Sequence, residues 1–167
     1  GLPFAIHASE PEVPDIAPAL DLDRDLLDYL VHARTEHLDR VTDQAVPVAV
    51  CPRANTVLGV GAVPLRELLD HTTVALGTDN VMLNAPSMLR EMAYTAKQFD
   101  VTAREVLGMA TRAGAEAVGL DCGVIAPGKR AALVVFDGDS DNLAGTEDPV
   151  RAVVRRATGL DVERVLY

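Results

Sequence analysis

The sequence has no tryptophan, and aromatic residues make up only 4% of its 167 positions. Any core must therefore be built mainly from aliphatic side chains, within an apolar fraction of 49%. Lysine is almost absent: Lys97 and Lys129 stand alone among 15 basic residues, the rest being arginine. Acids number 25, which sets a formal net charge of −10. That balance excludes the broad basic face that nucleic acid or an anionic membrane requires. Two cysteines, Cys51 and Cys122, are too few for a disulfide framework and read as reduced thiols. No apolar run approaches the ~18 residues of a membrane span. No basic segment followed by an apolar one stands at the start. The expectation is a cytoplasmic protein with no membrane partner, long enough for one ordinary domain with a real core.

What the sequence does contain is an alternation of short β-like runs with helix-like segments. Leu2–Ile6 predicts a first strand, and the proline-containing, acidic residues 11–23 predict a loop. Asp25–Tyr29 predicts a short helix or turn, and Tyr29–Ala33 a second strand. Glu36–Gln44 carries helical spacing, Pro47–Cys51 is a third strand stopped by Pro52, Val63–His71 is a helix, and Thr73–Leu76 is a fourth strand. Strands that alternate with helices imply parallel pairing through right-handed crossovers, with both faces covered. Beyond Asp79, Ser87–Phe99 predicts a helix with Ser87 as its cap. Thr102 and Glu105 form a capping box for another helix through Ala113, followed by a short one over Ala115–Leu120. The turn at Pro127-Gly128 leads to a strand over Ala132–Phe136. Residues 137–149 predict a mobile acidic loop, Pro149 opens a helix to Ala157, and a strand ends the chain.

In a parallel α/β sheet or barrel, reactive groups stand at the carboxyl ends of the strands. His7 and Glu10 follow the first strand, and His32 lies near the end of the second. Cys51, Arg53 and Asn55 follow the third, and Asp79 follows the fourth. A lone histidine at a strand tip is ordinarily a surface or core residue, and a lone Gly-Thr-Asp is ordinarily a turn. Four polar tips in register carry more weight. Imidazole and carboxylate are the ligands a catalytic Zn²⁺ or Fe²⁺ uses, and strand ends are stiff enough to hold them.

The ordered series "FAIHASE", "LVHA", "VAVCPRAN", "VALGTDN" and "GVIAPGKRAALVVFD" resembles the metal-dependent amidohydrolase superfamily. Within it, the resemblance is to the branch holding cytosine deaminase, guanine deaminase, S-adenosylhomocysteine deaminase and the triazine chlorohydrolases. It implies an α/β fold, with strands five to eight of a (β/α)8 barrel over residues 1–122. Residues 123–167 would then return into a small β-sandwich. It also implies one divalent metal, Zn²⁺ before Fe²⁺, and hydrolytic deamination of a purine, pyrimidine or related heterocycle by metal-activated water. Carried over by position, His7 is a metal ligand and Glu10 the proton shuttle. His32 is the hydrogen-bonding histidine, and Asp79 both touches the metal and accepts a proton. Arg53, Asn55, Asn80 and Asn84 stand where the substrate is contacted. His37 sits one residue beyond a second family histidine and reads as a helix-surface residue; His71 reads as structural.

Two departures qualify the resemblance. Ala131-Ala132-Leu133 replaces the family's Ala-Asp-Leu, and no His-x-His pair is present. A whole barrel needs ~250 residues, and four parallel strands leave two edges that proteins ordinarily cover. The chain therefore reads as the C-terminal half of a barrel, inactive alone and in need of its N-terminal half, with homo-oligomers expected. The competing expectation is a non-catalytic α/β domain that binds or assembles.

Overall fold

A computed structural model describes residues 3–10 and 15–167. Leu2, at the start of the first expected strand, and residues 11–14 of the expected loop lie outside them. Four strands, β1 (Ala5–Ala8), β2 (Leu26–Tyr29), β3 (Val48–Val50) and β4 (Val74–Leu76), form one parallel sheet in the order β1-β2-β3-β4. Between them run α1 (Ile16–Asp21), α2 (Thr35–Gln44), α3 (Pro52–Leu58) and α4 (Leu65–His71). The α/β class with a parallel sheet is as the sequence predicts.

Alternation along these short strands sorts the side chains. Ala8, Leu27, Val48, Val50, Val74 and Leu76 enter the main core, where Ile16, Leu20, Val41, Leu65 and Leu68 of the helices meet them. Each is nearly or wholly buried. The register pairs His7 with Asp28, Asp28 with Ala49, and Ala49 with Ala75. Those four residues therefore share one row on the other face of the sheet.

Three local expectations are corrected. Residues Ile16–Asp21, expected as loop, form α1; Pro18 falls in its first turn, where a missing N–H costs little. The strand expected at Tyr29–Ala33 lies earlier, at Leu26–Tyr29, in the stretch expected as a short helix or turn. Leu27 is fully buried and its amide bonds the Pro47 carbonyl, so pairing on both sides overrides the local pattern. Pro52 stops β3 as expected, but it also opens α3 from the first helical position, which suits its fixed φ.

After β4 come α5 (Met88–Gln98), α6 (Ala103–Ala110) and α7 (Arg112–Ala117). Ser87 caps α5, and the Thr102–Glu105 box caps α6. The helix expected to reach Ala113 breaks at Thr111. β5 (Leu133–Phe136) and β6 (Val162–Leu166) make a two-stranded antiparallel sheet. Between them α8 (Pro149–Arg156) packs against α5 and α6 and sends fully buried Val154 into the main core. The acidic stretch before it forms turns anchored by Leu143, which is buried with Ala152 and Ala157. No helix among the described residues is long and apolar enough to cross a membrane.

Candidate active site

The carboxyl ends of the four strands form one rim. His7 projects from β1 with its side chain 68% exposed, and its Nε2 lies 3.7 Å from Oδ2 of Asp28. Strand register sets that approach, because the two residues are directly paired. Burial raises the Asp28 carboxyl above its ordinary range; His7 opposes the rise and the charge of Asp79 adds to it. Sequence reasoning missed Asp28, since a residue placed in a turn has no face. Reading "LLDY" as a strand would have shown an acid inside an apolar run.

Asp79 is half-buried just beyond β4 and adopts a left-handed backbone, φ 56°. Its Oδ1 accepts the Asn80 amide at 2.6 Å. The Cys51 thiol lies within reach of its charge. Burial, with the Asp79 charge next in weight, pushes that thiol up to about 12, which disfavours the thiolate. The glycine of Gly77-Thr78-Asp79 has a packing reason: a Cβ there would stand 2.9 Å from Cys51 Sγ.

Tyr29 also belongs to the rim. Its ring meets the His7 imidazole edge to face, with centroids 4.8 Å apart and planes at 88°. Burial, then the charges of Asp79 and Glu10, push its phenol up from the ordinary range. Glu10 is half-buried at the end of β1.

His32 lies in the turn after β2. Its amide donates to Ser9 Oγ at 3.0 Å, which ties it to the end of β1. Its Nε2 is buried without a hydrogen-bond partner among the described residues. A Cβ on Gly61 would stand 3.6 Å from its Cε1, so the loop after α3 runs beside the ring, and His32 as a whole is half-buried.

Arg53 and Asn84 fasten the loop after β4. The Arg53 amide donates to Glu91 Oε1 at 2.9 Å, and its guanidinium reaches Glu91 Oε2 at 3.4 Å and Asn84 Oδ1 at 3.0 Å. Glu91 is fully buried; burial raises its carboxyl and Arg53 opposes the rise. Asn80 is exposed, and its Oδ1 accepts the amides of Met82 and Leu83 in a tight turn. Asn55 is enclosed at 1% exposure, with neither amide atom partnered among the described residues. His37 is buried, and its Nδ1 accepts the Arg34 amide as part of the α2 cap, which corrects the surface placement. His71 Nδ1 meets Thr42 Oγ1 at 2.8 Å, a structural tie.

The rim thus brings His7, Asp28, Tyr29 and Asp79 together, with Glu10 beside them. An imidazole and carboxylates are the donors Zn²⁺ or Fe²⁺ accepts, and a cation would relieve the clustered negative charge. Among the described residues, however, no three His, Cys, Asp or Glu side chains converge on one point. The donors fit a divalent metal in kind but fall short of a complete site in number.

The model of the amidohydrolase family matches residues 3–166. The 5-methylthioadenosine/S-adenosylhomocysteine deaminase of Haloquadratum walsbyi is 34% identical over 152 residues, which are 85% of this chain and 34% of that protein. An adenosine deaminase from Xanthomonas campestris, solved with bound zinc, superposes with a TM-score of 0.84 at 21% identity, over 98% of this chain and 44% of that one. The atrazine chlorohydrolase of Arthrobacter aurescens, complexed with zinc, gives 0.80 at 24% identity, over 99% and 42%. The chain spans less than half the length of each of these proteins.

Proposed function

The chain belongs to the amidohydrolase family, and on that premise we propose that it supplies one half of a metal-dependent site for hydrolytic deamination of a cyclic, nitrogen-containing substrate. The observation that carries this reading is the row formed by His7 and Asp28, with Asp79 near enough to act on the Asp28 carboxyl. A deaminase-named relative and two zinc-containing structural neighbours support it.

In this reading the half is that of barrel strands five to eight, and β5 with β6 is the start of a small β-sandwich. His7 and Asp79 would hold the metal, Zn²⁺ before Fe²⁺, together with ligands from the other half of the barrel. A divalent metal, when bound, lowers the pKa of water towards ~7 and so makes hydroxide available near neutral pH. The chain's own groups then move the protons. Asp79 accepts one as the water oxygen bonds to the ring carbon that bears the amino group. That proton passes through Glu10 to the ring nitrogen, and the hydroxyl proton of the adduct then passes through Glu10 to the departing nitrogen, which leaves both carboxylates as they began. The C–N bond breaks, ammonia leaves, and oxygen replaces the amino group. His32 would hydrogen-bond the attacking oxygen or the substrate. Arg53 and Asn84 shape the substrate wall by holding the loop after β4, and Asn80 stands at its exposed turn.

The test measures zinc content and ammonia release from 5-methylthioadenosine and S-adenosylhomocysteine. It uses the 167-residue chain and the same chain joined to a barrel half carrying His-x-His. The joined protein is expected to hold one zinc and turn over substrate, and His7→Ala is expected to abolish both. The chain alone is expected to bind zinc weakly and to be inactive. Unchanged zinc content in His7→Ala would sink the reading in favour of a non-catalytic domain. Turnover by the chain alone would overturn the half-site.

A further inference from the structure

Tyr29 and Leu30 are consecutive non-glycine residues with left-handed backbones, φ 79° and 50°. Such a pair at the mouth of a site calls for a reason, because a strand end can stop without it. The surroundings hold it in place. The Leu30 amide bonds the Ala8 carbonyl, the Val31 amide bonds the Ser9 carbonyl, and Leu30 is fully buried.

The turn redirects one side chain. Tyr29 pairs with Ala8, which points into the helix-side core, and Leu27 points there too. Regular alternation would send the Tyr29 ring the same way. Instead it packs in a separate small cluster with Val31, Cys51 and Ala54, and presents an edge-to-face contact to His7. His7 is otherwise 68% exposed, and its other close neighbour is the Asp28 carboxylate. An exposed imidazole on a strand end turns freely about χ2 unless something flanks it.

We infer that Tyr29 is a positioning residue of the rim. Its ring, delivered there by the left-handed turn, fixes the orientation in which His7 presents Nε2 towards Asp28. The action is through the ring, so the hydroxyl is dispensable for it. The inference stands on the contact itself. Only its consequence for metal binding rests on the reading proposed above.

The experiment uses the 167-residue chain labelled at histidine, whose four imidazoles belong to His7, His32, His37 and His71. His7→Ala assigns the His7 signals, and Co²⁺ serves as a paramagnetic probe of the metal position. In the wild type, Tyr29 ring protons are expected to show Overhauser contacts to the His7 imidazole, whose shifts carry the ring current. Tyr29→Phe should keep those shifts. Tyr29→Leu should return them to free-imidazole values while His37 and His71 stay unchanged. The Co²⁺ concentration that half-broadens His7 should rise about two- to tenfold in Tyr29→Leu and not in Tyr29→Phe, the span an aromatic pair is worth.

Unchanged His7 shifts in Tyr29→Leu, or failure of Tyr29→Phe to retain them, overturns the inference. Should Tyr29→Leu also disturb His37 and His71, the wild-type Overhauser contact decides: present, it supports the positioning role; absent, it removes it. If Co²⁺ fails to broaden His7 in the wild type, the metal reading falls, while the shift comparison still settles the role of Tyr29.

Discussion

At the scale of single residues, the rim depends on packing that its chemistry conceals. Gly77 passes Cys51 so closely that a methyl group would meet the thiol at 2.9 Å. Gly77→Ala should therefore lower stability by about 1–3 kcal/mol, the usual cost of overpacking. The loss should shrink when Cys51→Ala removes the sulfur. A double-mutant cycle by urea denaturation checks this, and a strictly additive pair would contradict it. Glu91 is fully buried against Arg53, so Glu91→Ala strands a half-buried guanidinium and releases the loop that carries Asn84. The expected loss is about 3–5 kcal/mol, as for one partner removed from a buried pair. Denaturant midpoints measure it. A loss below ~1 kcal/mol would place this pair among solvated ones. Sequence reasoning found Arg53 from its motif but not its partner, because Glu91 lies 38 positions away on another element.

At the scale of elements, end chemistry and pairing divide the work. The α6 capping box is plain in the sequence: Thr102 accepts the Glu105 amide, and Glu105 accepts the Thr102 amide at 2.7 Å. Those bonds, with Arg66 from α4, pull the Glu105 carboxyl down from its ordinary 4.5 to about 2. The folded value is below the unfolded one. The stabilisation is therefore present above about pH 4.5 and is lost as the pH falls towards 2. Wild type should exceed Glu105→Gln in stability near neutrality, and the two should converge across that window in urea titrations. A gap that persists below it would point to packing instead of charge. Capped helices were readable for this reason, since a cap is a local hydrogen bond between residues three apart. β2 was not, because "LLDY" becomes a strand only through its neighbours on both sides. α3 and α1 hide behind prolines that can end one element or begin another.

At the scale of the whole molecule, one core joins the parallel sheet to the later helices. Val154 of α8 is buried with residues of the β1–β4 sheet and its helices. The described residues outside the two-stranded sheet should therefore unfold together. Leu68→Ala, at a fully buried core position, should cost about 2–5 kcal/mol and move far-UV circular dichroism and tyrosine fluorescence as one transition. Two separated transitions would show that α8 folds apart from the sheet.

The sequence by itself determined the α/β class, the order of most elements and the family, and it pointed to His7, Glu10, His32 and Asp79 as polar residues near strand ends. These follow from periodicity, caps and short motifs, which are properties of neighbouring residues. Only the tertiary structure decided that Asp28 lies opposite His7, that Tyr29 turns out of the main core to flank it, that Glu91 holds Arg53, and that His32 Nε2 is buried. Each of these depends on strand register, on a left-handed turn secured by distant hydrogen bonds, or on burial by a remote helix. Such relations arise between segments far apart in the chain, where no local pattern records them.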